Sequence, residues 1–152
     1  MALKILACVL CALLLFGCIL EKEDGILVRV SADGGEVAIG AEVADSQAEH
    51  ARGLMWRRSL AEDRGMLFLF SHEALHAFWM KNTLIPLDMV FISENMEIVD
   101  IIQNVQPCKN SPCPSYIPLQ NAKYVLEVNG GYCEKNGIGI GNRVEFGAGN
   151  AG

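Results

Sequence analysis

Residues 64–92, RGMLFLFSHEALHAFWMKNTLIPLDMVFI, carry three apolar runs, 66–70, 77–80 and 87–92, separated by two short polar breaks. Runs of this length read as strands, and the first is apolar throughout, as expected of a strand buried on both faces. The second and third are expected to pair around the connection at 81–86. The same punctuation extends along the chain. Residues 26–30 alternate and end in Ser31-Ala32-Asp33-Gly34-Gly35, a hairpin signal. Residues 36–43 place Val37, Ile39, Ala41 and Val43 on one face. Further on, residues 97–105 turn Ile98, Ile101 or Ile102, and Val105 inward. In 123–128, Tyr124, Leu126 and Val128 alternate with Val125 and Glu127, and a closing strand is expected at 144–146. Ser46 with Glu49 three residues later forms a capping box that starts a helix over Gln47–Arg52, and Gly53 stops it. A second short helix, Tyr132–Asn136, follows Asn129-Gly130-Gly131. About eight short strands with Gly/Pro turns define an all-β sandwich or barrel with one or two short helices.

The N-terminus is different. Lys4 precedes an apolar run over 5–16 and then Gly17-Cys18, the pattern of a secretory leader. Leu15-Phe16-Gly17-Cys18 is similar to a lipoprotein processing site, in which Cys18 is lipidated and becomes the new N-terminus. The domain plan is therefore a leader over 1–17, a tether over 18–25, one β-domain over 26–147 and a frayed tail over 148–152. An uncleaved signal anchor and a soluble secreted form are the alternatives. All three place the domain outside the cytoplasm, and the first two attach it to the membrane. The formal charge of −6 gives no electrostatic footprint for nucleic acid.

Of six cysteines, Cys8, Cys11 and Cys18 belong to the leader. Cys108 and Cys113 flank a turn-rich segment with prolines at 107, 112 and 114. In an oxidising compartment these two are expected to form a disulfide. They could instead supply half of a zinc site, but no second Cys or His pair lies near them in sequence. Cys133 reads as a small buried hydrophobe. His72 and His76, at i and i+4, lack a neighbouring carboxylate and third ligand, so no metal site and no cofactor are expected.

Gly53-Leu54-Met55, the segment FWMKNTLIPLD beginning at Phe78, and YVLEVNGG over 124–131 together closely resemble the prokaryotic family called domain of unknown function 192. The resemblance covers about 36–146. It implies a compact jelly-roll-like sandwich and no established activity. The family's GLM-x-R pattern falls on Arg57 or Arg58, whose guanidinium is expected to gather loop carbonyls.

The residues best suited to chemistry are Trp79, Lys81, Asn82, Thr83 and Asp88, with Glu127 from a later strand. A lysine beside an aromatic ring and two hydrogen-bonding side chains can hold a small anionic or sugar-like ligand. A buried Asp88 would want a cationic partner, Lys81 or an arginine near Gly53. The same residues can equally be structural: Asn82 and Thr83 serving a tight connection, Asp88 capping it, Phe78 and Trp79 in the core. No nucleophile elbow, metal-ligand spacing or phosphate-cradling loop is present. The expected function is a binding or accessory module for a small ligand or envelope component. Alternatives are a hydrolase or lyase on envelope sugars using Asp88 and Glu127, and a structural partner protein without a small-molecule site.

Overall fold

Residues 25–148 are described by a computed structural model. In chain order the elements are β1 (Gly25–Ala32), β2 (Gly35–Ala44), α1 (Gln47–Arg52), β3 (Arg64–Ala74), β4 (Phe78–Trp79), β5 (Leu87–Ile92), β6 (Ile98–Val105), β7 (Ser115–Tyr116), β8 (Ala122–Asn129), α2 (Tyr132–Asn136) and β9 (Val144–Ala148). Residues 1–24 and 149–152 are outside the described residues, so the leader, Cys18 and most of the expected tail are too. Ala148, expected to fray, instead ends β9 opposite Ile26.

A seven-stranded sheet runs in the order β6-β5-β8-β3-β2-β1-β9. All its pairs are antiparallel except β2–β3, where the connection through α1 returns the chain in parallel. Ser46 Oγ accepts the Glu49 N–H at 3.3 Å while Glu49 Oε2 accepts the Ser46 N–H at 3.0 Å, closing the capping box. Gly53 ends the helix with φ +46°. The β6 and β9 edges approach at the Glu97–Arg143 bridge, where Ile98 N donates to the Asn142 carbonyl. The sheet therefore curls into a compact sandwich-like shell, short of a closed barrel.

Because side chains alternate along a strand, the central strands feed two apolar clusters. Leu67, Val90, Ile92, Leu126 and Val128 join β1, β2 and α2 on one face. Met66, Phe68, Leu87, Met89, Phe91 and Val125 join Leu54 and Met80 on the other. That double burial explains the apolar run at 66–70 in β3 and the full burial of β5, whose one polar side chain is Asp88.

One expected pairing does not form. β4 does not pair with β5; it joins β7 in a separate two-stranded sheet, Phe78 opposite Tyr116 and Trp79 opposite Ser115. β5 lies instead between β6 and β8. The Cys108–Cys113 disulfide, with S–S 2.12 Å and Cα–Cα 5.7 Å, closes the loop that leads into β7. Cys108 bridges to Lys81, and its N–H donates to the Met80 carbonyl.

Candidate functional site

The local folding of two loops sets the site. Residues 53–57 leave α1 through Gly53, and residues 80–84 leave β4. Asn82, in a left-handed conformation at φ +57°, accepts the Trp56 N–H on its carbonyl at 2.8 Å. Its Nδ2 lies 3.7 Å from Met55 Sδ. Asn82 thus fastens the two loops together.

Between these loops and the sheet lies a narrow cleft enclosing about 20 Å³, lined among others by Gly53, Phe68, Phe78, Trp79, Thr83 and Glu127. That is room for about one water molecule. Trp79 stands at the mouth, 46% exposed, with Lys81 Nζ 5.1 Å from its ring centroid, within reach of a cation–π contact. Thr83 is buried in the wall. A β-carbon at residue 53 would stand 3.3 Å from the Phe68 ring and 3.9 Å from Glu127 Oε2, so glycine lets the loop close over both.

Glu127 forms the floor. It sits on β8 between Met66 of β3 and Met89 of β5 and is 4% exposed. Its carboxyl makes no hydrogen bond or ion pair among the described residues. Burial alone pushes its pKa from 4.5 to about 8. Near neutral pH this side chain is mostly an uncharged acid, able to donate a hydrogen bond.

Asp88 does not belong to this cluster. Its neighbour Met89 opposes Glu127, so Asp88 points to the other face of the sheet. Among the described residues no cation partners it. Its carboxylate accepts three backbone N–H groups, from Asn104 at 2.7 Å, Gly131 at 2.9 Å and Cys133 at 2.9 Å. The first arises from an extra residue of β6, opposite the register shift between Leu87 and Met89. The other two are donors at the start of α2. The sequence expectation of a lysine or arginine partner is thereby corrected, because backbone amides satisfy the charge. The acid–base pair of Asp88 and Glu127, on which the hydrolase or lyase alternative rests, does not assemble either: the sheet separates the two groups.

Other expectations resolve locally. Arg57 pairs with the Glu42 carboxylate on β2. Cys133 is a free, buried thiol whose pKa burial drives upward. His76 stacks on Phe70 at 3.5 Å and its Nε2 donates to the His72 carbonyl, a packing arrangement. Two broader depressions exist, of about 620 Å³ beside Glu73 and Leu75 and of about 810 Å³ beside Arg57 and Arg64. Neither holds a buried side chain comparable to Glu127. Sequence reading missed Phe68, Phe78 and Gly53 as cleft walls, although Gly-Leu-Met after a capped helix marked the loop.

The DUF192 family model, described as "Uncharacterized ACR", matches residues 28–146. A UPF0127 protein of Pyrococcus furiosus is 26% identical over 118 residues, covering 74% of this chain and 91% of that protein. Two crystal structures are similar in fold. One, from Sinorhizobium meliloti 1021 and named provisionally as a transcription regulator, has TM-score 0.73 and 34% identity, covering 80% of this chain and 93% of that one. The other, a protein of unknown function from Novosphingobium aromaticivorans, has TM-score 0.76 and 32% identity, covering 84% and 89%. The chain belongs to the DUF192 family.

Proposed function

We propose that this member of the DUF192 family is a small-ligand binding module, held at the outer side of a membrane by its N-terminus. The observation that carries the binding reading is Glu127, a residue only 4% exposed that lines the cleft and whose carboxyl has no partner among the described residues. Buried polar groups ordinarily find partners, and here the open direction is the cleft itself. Trp79 offers a stacking face at the mouth and Lys81 a charge, so the ligand is small and anionic or sugar-like. Asp88, on the opposite face of the sheet, supplies no second carboxylate to the cleft.

The attachment reading rests on the sequence of residues 1–18. The Cys108–Cys113 disulfide supports an oxidising compartment. Among the described residues no helix is long and apolar enough to cross a membrane. The regulator name given to the S. meliloti relative is not extended to this chain, whose charge of −6 offers little to phosphates.

A thermal-shift panel of sugars and small anions on the purified full chain tests the binding reading. A ligand at 100 times its dissociation constant adds about 2.7 kcal/mol of stability. A stabilising ligand whose effect is lost in Lys81→Ala is the expected result, and a panel without any stabilising ligand contradicts it. For attachment, Cys18→Ser should release or mislocalise the protein if Cys18 carries lipid. Recovery of the native chain from the cytoplasm would overturn the reading.

A further inference from the structure

We propose that the cleft takes a small carboxylate, one of whose oxygens accepts a hydrogen bond from the Glu127 carboxyl while Lys81 balances its charge. This inference rests on the binding reading above and names the ligand class. The space before Glu127 accommodates about one water, so a single oxygen can enter while the body of the ligand stays at the mouth against Trp79. The charges on the cleft favour an anion. Among its described lining residues Glu127 is the only carboxyl, whereas Arg52 and Lys81 are both cations and both exposed. An amine would meet those two cations on its way in.

Glu127's surroundings allow it to donate. The strands on either side face it with Met66 and Met89, which carry no charge. The loop after β4 supplies Lys81 and Thr83. The α1 end supplies His50 and Arg52, with His50 Nε2 already donating to the Ala44 carbonyl at 3.0 Å. Desolvation alone raises the Glu127 pKa to about 8, so the donor is present at pH 7. It is lost as pH rises through about 8, where an ionised Glu127 would repel the ligand. An acid–carboxylate contact is short and strong while one proton is shared. Binding is therefore coupled to a proton.

The test is an NMR titration of the full chain with glucuronate, acetate, glucose and methylamine, followed at the Trp79 indole N–H and the Thr83 amide. The expected result is binding of glucuronate and acetate, weakening about tenfold between pH 7 and pH 9 as the donor-competent fraction falls. Glu127→Gln keeps a donor without an ionisable proton, so it should still bind glucuronate with the pH dependence abolished. Methylamine binding that strengthens as pH rises, or glucose binding equal to glucuronate at every pH, overturns the carboxylate inference and leaves the binding reading standing. Persistence of the full pH dependence in Glu127→Gln also overturns it, because Lys81 or another group would then be its source. No response at either reporter to any of the four probes contradicts the binding reading itself.

Discussion

The carboxyls of Asp88 and Glu127 leave opposite faces of one sheet, because Glu127 opposes Met89 and Asp88 is the residue before it. Both are buried, yet their surroundings differ completely. Asp88 is surrounded by three backbone donors. Glu127 meets two methionines, a phenylalanine ring and a cleft. One is built into the fold, and the other is left available to a visitor.

Removal of Asp88 should therefore be costly wherever the ligand site stands. Asp88→Ala leaves the N–H groups of Asn104, Gly131 and Cys133 without their acceptor, and each stranded buried donor costs about 1–3 kcal/mol. Denaturant unfolding of Asp88→Ala should show a loss of at least 3 kcal/mol, with a milder loss for Asp88→Asn, which retains one acceptor oxygen. A loss below 1 kcal/mol in Asp88→Ala would show that the clamp on α2 is dispensable.

Glu127 should affect stability in the opposite sense and with a pH signature. Its folded pKa, about 8, lies above the unfolded 4.5. Between those values the native state holds more protons than the unfolded one, so this group's contribution falls as pH rises. The slope approaches about 1.4 kcal/mol per pH unit, flattening below the lower pKa and above the upper one. Glu127→Gln removes the slope. Its melting temperature should exceed that of the native chain by several degrees at pH 8, with the gap closing toward pH 4.5. A gap that does not change with pH would contradict a buried, uncharged Glu127.

Much of this architecture was legible in the sequence. The Ser46–Glu49 capping box, the β1–β2 turn and the cysteine pair are local devices, formed by residues within a few positions of one another. The membership of β4 was not legible, because the partner of Phe78 and Trp79 is Tyr116 and Ser115 across a disulfide loop, and short apolar runs carry no pairing label. Glu127 was visible as a charged residue within an apolar alternation. Its lack of a partner was not, since that depends on which side chains of β3, β5 and the 53–57 loop surround it. Asp88 is close to Lys81 in sequence yet faces away from the cleft that Lys81 lines. One strand position decides the face of a sheet.

Gly53 joins the end of α1 to the cleft wall. Its backbone, φ +46° and ψ −137°, is a conformation costly for a residue with a β-carbon, and that carbon would press on the Phe68 ring. Gly53→Ala should destabilise the chain by about 1–3 kcal/mol and weaken ligand binding by crowding the cleft. Unchanged melting together with unchanged ligand affinity would show that the loop tolerates a wider approach.

The Cys108–Cys113 disulfide bears on Lys81 more than on global stability. It closes a loop far shorter than 15 residues, so its loss should cost less than about 3 kcal/mol. Cys108 bridges to Lys81, however, and the pair orders the segment beside the cleft mouth. A double Cys108→Ser, Cys113→Ser variant should melt only slightly lower while losing affinity for glucuronate. The reverse pattern, a large drop in melting with affinity retained, would contradict that role.

The proton on Glu127 is what the ligand class depends on, and it can be observed directly. A carbon-detected NMR titration of glutamate carboxyls in the ligand-free chain, assigned by the missing resonance in Glu127→Gln, reads its ionisation. A midpoint at about 8, shifting upward when glucuronate is added, is the predicted result. A midpoint at the ordinary glutamate value near 4.5, unmoved by ligand, would contradict the account.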